Sequence, residues 1–261
     1  MDLHKFGACF FVLIYWAFGL LPVAGQQADK NEIIRKAQQS YYRIGSIQFE
    51  ANIQPNWTIS VKGLESNPVA LKLLNGLHFS MSFDSNGNVK VNHTADVAPA
   101  NEAQANRFNQ AYEGMEQIVI GFFQTWNLFM FRSPFPPVDG DYELQHAGSQ
   151  YVLKFKEGSD DVVINMSDGD LRIVEVKVLS TTFSSSVKPQ FTKTPKGYVM
   201  TAYEGNYEPA KGPGKVNLHA QIEYQEVMGL SLPRKLRFDS IYDEQPSHAE
   251  LLFSQYRVNT H

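Results

Sequence analysis

Two periodicities divide the chain. Ile33, Ile34, Ala37, Tyr41 and Ile44 recur at three- and four-residue steps, with Arg35, Lys36 and Gln38 facing away, which predicts an amphipathic helix. Asp29, with Glu32 three residues later, forms a capping-box pattern at its start, and Gly45 supplies the stop. The period then changes to two. Ile47, Phe49, Ala51 and Ile53 alternate with Gln48, Glu50, Asn52 and Gln54, as a half-buried strand requires. Trp57, Ile59 and Val61 alternate likewise after the Pro55 break, and Leu77, Phe79, Met81 and Phe83 form a third strand. Asn86-Gly87 is a hairpin signal, with Val89 and Val91 on the return strand.

The middle of the chain returns to helical spacing. From Asn101 to about Met130, Phe108, Ala111, Tyr112, Met115, Ile118, Val119, Phe122, Trp126 and Phe129 recur at three- and four-residue steps. The first half of this helix has a polar back, whereas the second half is apolar nearly all round and must be buried on most sides. Pro134, Pro136 and Pro137 forbid its continuation. Strand patterns fill the remainder: Tyr151 to Phe155, a hairpin of Val162–Met166 and Leu171–Leu179 around Asp168-Gly169, Tyr198–Tyr207, Val216–Tyr224, Leu236–Ile241 and Ala249–Phe253. Many alternating strands joined by tight turns predict a mainly β, α+β fold: an antiparallel sheet with one face covered by two helices.

The N-terminus changes the setting. Lys5 precedes an apolar stretch, Ala8 to Leu21, followed by Pro22, Val23, Ala24 and Gly25 and then a polar run. A basic start, a short apolar core and small exit residues predict a signal peptide over 1–25, cleaved after Gly25. The stretch is shorter than the roughly 20 residues of a spanning helix, which disfavours an uncleaved anchor. Residues 26–261 then form one exported domain, periplasmic or secreted. The single cysteine, Cys9, lies inside the signal, so the mature chain has neither disulfides nor thiolate chemistry. A net charge of −4 argues against a nucleic-acid partner. Asn56-Trp57-Thr58, Asn92-His93-Thr94 and Asn165-Met166-Ser167 match the glycosylation sequon.

No catalytic pattern emerges. The histidines are scattered without metal-ligand spacing, and nucleophile-elbow, Walker and dinucleotide glycine motifs are absent. Asp84-Ser85-Asn86-Gly87-Asn88 alternates oxygens as calcium loops do, but its glycine comes early and no glutamate closes it, so it reads as a turn. The expectation is a non-enzyme without a cofactor or metal. A secreted hydrolase with an acid pair ranks last among the readings.

Several stretches resemble the periplasmic lipoprotein-carrier family, LolA and its relatives. They are the helix-into-strand passage Glu32 to Ile53, the Met166 to Val178 hairpin with Asp168-Gly169 at its tip, and Tyr224 to Val227. Gly229-Leu230-Ser231-Leu232-Pro233-Arg234-Lys235-Leu236 and the closing Phe253 to Asn259 complete the set. The family's Arg-Pro-rich strand has no counterpart around Leu73 to Phe83, and the Asn101 to Met130 helix is longer than that family's.

The resemblance implies an incomplete, strongly curved antiparallel β-barrel, its concave face covered by an N-terminal helix and the long middle helix. It implies a carrier, or chaperone, of lipid or lipoprotein acyl chains, a monomer that meets an envelope membrane-protein partner. The middle helix would act as a lid. Phe108, Tyr112, Met115, Val119, Phe122, Phe123 and Trp126 would then face Phe49, Ile53, Phe79, Met81 and Phe83 across an apolar cavity. The alternative is a non-catalytic envelope sensor or assembly domain of the same fold, in which these side chains are packed core.

Overall fold

A computed structural model describes residues 23–260, with side chains from 30 to 259. The predicted signal segment up to residue 22 lies outside the described residues. Helix α1 (Val23–Gln39) passes through Asp29 instead of starting there, and it stops at Gln39, before Gly45. Twelve strands follow: β1 (Ile47–Pro55), β2 (Leu77–Phe83), β3 (Val89–Ala95), β4 (Glu143–Ala147), β5 (Gln150–Glu157) and β6 (Asp160–Ser167), then β7 (Ile173–Leu179), β8 (Phe183–Thr194), β9 (Gly197–Pro209), β10 (Val216–Val227), β11 (Leu230–Tyr242) and β12 (Gln245–Thr260). Between β1 and β2 lie a one-turn helix α2 (Trp57–Ser60), a 3-10 turn (Leu64–Ser66) and α3 (Pro68–Asn75). The expected strand around Trp57, Ile59 and Val61 is therefore helical and turned. Helix α4 (Glu102–Met130) runs as predicted, and the Asn101 side chain caps it by accepting from the Gln104 N–H at 2.9 Å.

The strands form a single antiparallel sheet in the order β3-β2-β1-β12-β11-β10-β9-β8-β7-β6-β5-β4. Every neighbour is a neighbour in sequence except at β1–β12, where Ile47 lies opposite Thr260 and Pro55 opposite Leu251. This arrangement corrects the expected curved half-barrel. The sheet is open, with β3 and β4 as its edges, and it neither closes nor curls strongly. Alternation fixed which side chains face inward, but it carries no information on how far twelve strands bend.

One face of the sheet packs against α1 and α4. On β1, Ile47, Phe49, Ala51 and Ile53 point in, and on β2 so do Leu77, Phe79, Met81 and Phe83. The opposite face is solvated and carries cross-strand charge ladders. Lys188, Glu204, His219, Asp239 and His248 lie side by side across β8 to β12, so carboxylates alternate in register with an ammonium or imidazole side chain. Glu250 is the buried carboxylate of that face. It pairs with Lys235 at 2.8 Å and Arg237 at 2.9 Å and accepts from the Asn56 side chain at 3.2 Å. The Lys235 ammonium, aided by Arg237 and Asn56 and opposed by burial, holds its carboxyl at about 2.

Candidate functional site

The residues expected to line a cavity come together, but as packed core. Phe49, Ile53, Phe79, Met81, Phe83, Phe108, Met115, Val119, Phe122, Phe123 and Trp126 are all buried, and Tyr112 is half-buried. Phe49 stacks on Phe83 at 4.8 Å, and Trp126 meets Phe83 edge-on at 5.8 Å. Phe123 contacts Phe253 of β12 at 5.7 Å, and Phe129 reaches Phe191 of β8 at 5.8 Å. Tyr112 stacks on His93 at 3.7 Å, which ties α4 to the edge strand β3.

Trp126 Nε1 donates to the Tyr224 hydroxyl at 3.2 Å, and that hydroxyl donates to the Met200 carbonyl at 2.6 Å. Burial pushes the Tyr224 phenol well above its usual range, so it remains a neutral donor. A helix held by interdigitated rings and a buried hydrogen-bond chain is a structural layer. The carrier expectation is overturned on this ground and on the openness of the sheet: no curled barrel exists to enclose an acyl chain.

Other sequence signals resolve locally. The Asp84 carboxylate accepts from the N–H groups of Asn86 and Asn88 and from the Asn88 side chain, so its oxygens serve the hairpin turn. Among the sequons, the Asn56 amide is engaged by Glu250 and the Asn165 amide donates to Glu175 at 3.1 Å, whereas Asn92 is exposed on β3. Among the described residues, no three His, Cys, Asp or Glu side chains converge as a metal site.

The feature that the strand patterns did not single out lies where the helical cover ends. Along the inner face of β9 to β12, one cross-strand row is sealed: Tyr203, Ala220 and Ala249 are buried, with Phe238 between the last two. Two residues further along, the row Val187–Gly205–Leu218–Ser240–Ser247 is partly open. Two residues further again, the row Ser185–Tyr207–Val216–Tyr242–Gln245 forms an uncovered lip. Tyr207 is 40% and Tyr242 55% exposed. Phe183 stacks on Tyr207 at 5.5 Å with only 26° between the rings, which extends the aromatic surface onto β8.

Neither lip row carries a charged side chain, although the same strands carry the charge ladder on their other face. The polar groups present are hydroxyls and an amide, with Ser240 and Ser247 bonded through their hydroxyls at 2.7 Å. The lip is fixed in place: Asp243, at the β11–β12 turn, accepts from the Gly214 and Lys215 N–H groups of the β9–β10 loop, both at 2.9 Å. No protein family, curated protein sequence or solved structure matches the chain.

Proposed function

We propose that this chain is a non-catalytic binding domain that takes a neutral, hydroxyl-rich polymer, a linear polysaccharide, on the aromatic lip of its inner sheet face. The observation that carries this reading is the uncharged row with Tyr207 and Tyr242 exposed two strands apart. Neighbouring strands lie about 4.8 Å apart, so the two rings sit about 10 Å from each other. A β-linked hexose chain presents the same ring face again over a comparable distance. Sugar rings offer apolar C–H faces and hydroxyl edges. The first matches the flat faces of Tyr207, Tyr242 and Phe183, and the second matches Ser185, Ser240, Ser247 and Gln245. A side-chain set without charge suits such a ligand, because a neutral sugar would leave a buried charge unpaired. A chain exported by the predicted signal would meet polysaccharide outside the cytoplasm.

Affinity electrophoresis in gels containing soluble β-glucan, xylan or galactomannan tests the reading. At least one polymer is expected to retard the protein. The Tyr207→Ala/Tyr242→Ala variant should lose most of that retardation, since each stacked ring contributes about 0.5–1.5 kcal/mol, or up to about tenfold in affinity. Equal mobility in every gel, or unchanged retardation of the double variant, overturns it.

A further inference from the structure

A second surface lies at the opposite edge of the sheet. Strand β4 is three residues shorter than β5: it pairs from Ala147↔Gln150 to Glu143↔Lys154, which leaves Phe155, Lys156 and Glu157 without a neighbour on that side. The chain leaves the ladder there: Gly140, Asp141 and Tyr142, which would continue β4, line the space without pairing with β5, and Pro134, Pro136 and Pro137 lie on the loop beyond them. A groove of about 740 Å³ remains between this proline loop and β5. Lys154, Phe155, Lys156 and Glu157, which alternate between the two faces of β5, all line it.

The hairpin registers show where the free main-chain groups point. The turns Gly148-Ser149 and Gly158-Ser159 each have two residues, with φ +63 at the glycine, as a type II′ turn requires. Residues flanking such a turn exchange both N–H···O bonds, and bonded pairs then recur at every second residue. Glu157 and Phe155 therefore bond to β6, whereas Gln150, Val152 and Lys154 bond to β4. Lys156 is next in the β4-facing series and has no partner there. Among the described residues, no backbone bond outside the strand ladders reaches its N–H or carbonyl. On the inner side of the gap, Phe155, Phe135, Leu128 and Val162 form an apolar slot.

We infer that this notch is a strand-addition site for an extended peptide segment of a partner protein. The segment would exchange two main-chain hydrogen bonds with Lys156 and place one apolar side chain in the slot beside Phe155. A free donor and acceptor facing a walled gap match a peptide backbone, and the slot sets which residue of the peptide faces inward. The gap spans Phe155 to Glu157, about 10 Å, so a short segment fills it.

The test uses a fluorescein-labelled heptapeptide of alternating threonine and valine, followed by fluorescence anisotropy. Saturable binding is expected, together with slower amide hydrogen exchange at Lys156. Lys156→Pro deletes the N–H that faces the gap but removes no ladder bond, so the variant should fold and lose at least tenfold in affinity. Lys156→Ala keeps the main chain and should stay within about threefold of the parent. Absence of binding, equal binding by Lys156→Pro, or unchanged exchange at Lys156 would overturn the inference. A polysaccharide result at the tyrosine lip bears on neither outcome, because the two surfaces share no residue.

Discussion

Replacing Glu250 with glutamine removes the carboxylate that Lys235 and Arg237 share, while keeping a side chain of the same shape. The carboxyl titrates at about 2 in the folded chain against an ordinary value of 4.5. Its side chain is only 10% exposed, so this is not a surface pair of negligible worth. The gap between the two values corresponds to at most about 3 kcal/mol, and screening around the more exposed Arg237 lowers that to roughly 1–3 kcal/mol. Because the folded-state value is depressed, the contribution is complete above about pH 5.5. It is lost as pH falls through 4.5 towards about 2. Urea titrations of the parent and Glu250→Gln, followed by tryptophan fluorescence across that range, should show a gap that is widest near neutrality and closes in acid. For a domain of this size, the neutral-pH gap amounts to a few degrees in Tm per kcal/mol. Glu50→Gln, which removes the exposed pair with Arg257, should shift stability by less than about 1 kcal/mol. A Glu250→Gln gap that is absent at pH 7, or that persists unchanged at pH 2.5, refutes the linkage.

Further outcomes follow from packing. Trp126→Ala empties a fully buried site and removes the N–H that the Tyr224 hydroxyl accepts from, so it should destabilise the fold by about 3–5 kcal/mol in denaturant titrations. Phe122→Asp places a charge among Phe123 and Phe253 and should leave the chain insoluble or unfolded in circular dichroism, where a movable lid would have tolerated it. Gly197 sits at φ +118, and a Cβ there would lie 2.7 Å from the Tyr42 nitrogen and 2.8 Å from the Ser40 carbonyl oxygen. Both are backbone atoms and cannot step aside, so Gly197→Ala should lower the calorimetric Tm by several degrees, and an unchanged Tm would contradict the close approach.

The long helix was legible because Asn101 and the Phe108-to-Phe129 spacing agree, cap with period. The strands β1, β2, β6 and β10 were legible for the same reason, since each alternates over at least three inward positions. Others offered weaker signals. In β4, Leu144 is the one large apolar residue, and β8 opens on a serine run and contains Pro189. Helix α3 had a signal that went unused: the Asn67 side chain accepts from the Ala70 N–H, and Pro68 stands at the first turn. Trp57, Ile59 and Val61 misled because three alternate apolar residues are too few to separate a strand from a single helical turn. Sheet curvature had no signal at all, and the carrier reading depended on it. The tyrosine lip was half legible. Tyr207 and Val216 lie in strands whose alternation is plain, but their exposure depends on where α4 stops covering the sheet, which is a tertiary fact.

The union of β1 with β12 has a consequence in time. During synthesis β1 emerges early and β12 after the other eleven described strands, so the seam between them waits for the sixteen residues Gln245–Thr260. Until then β1, β2 and β3 form one patch and β4 to β11 another, each with a raw inner edge at the place where the other should be. Stalling before Gln245 would leave a three-stranded and an eight-stranded sheet competing for strange partners, whereas release of β12 joins them in one step.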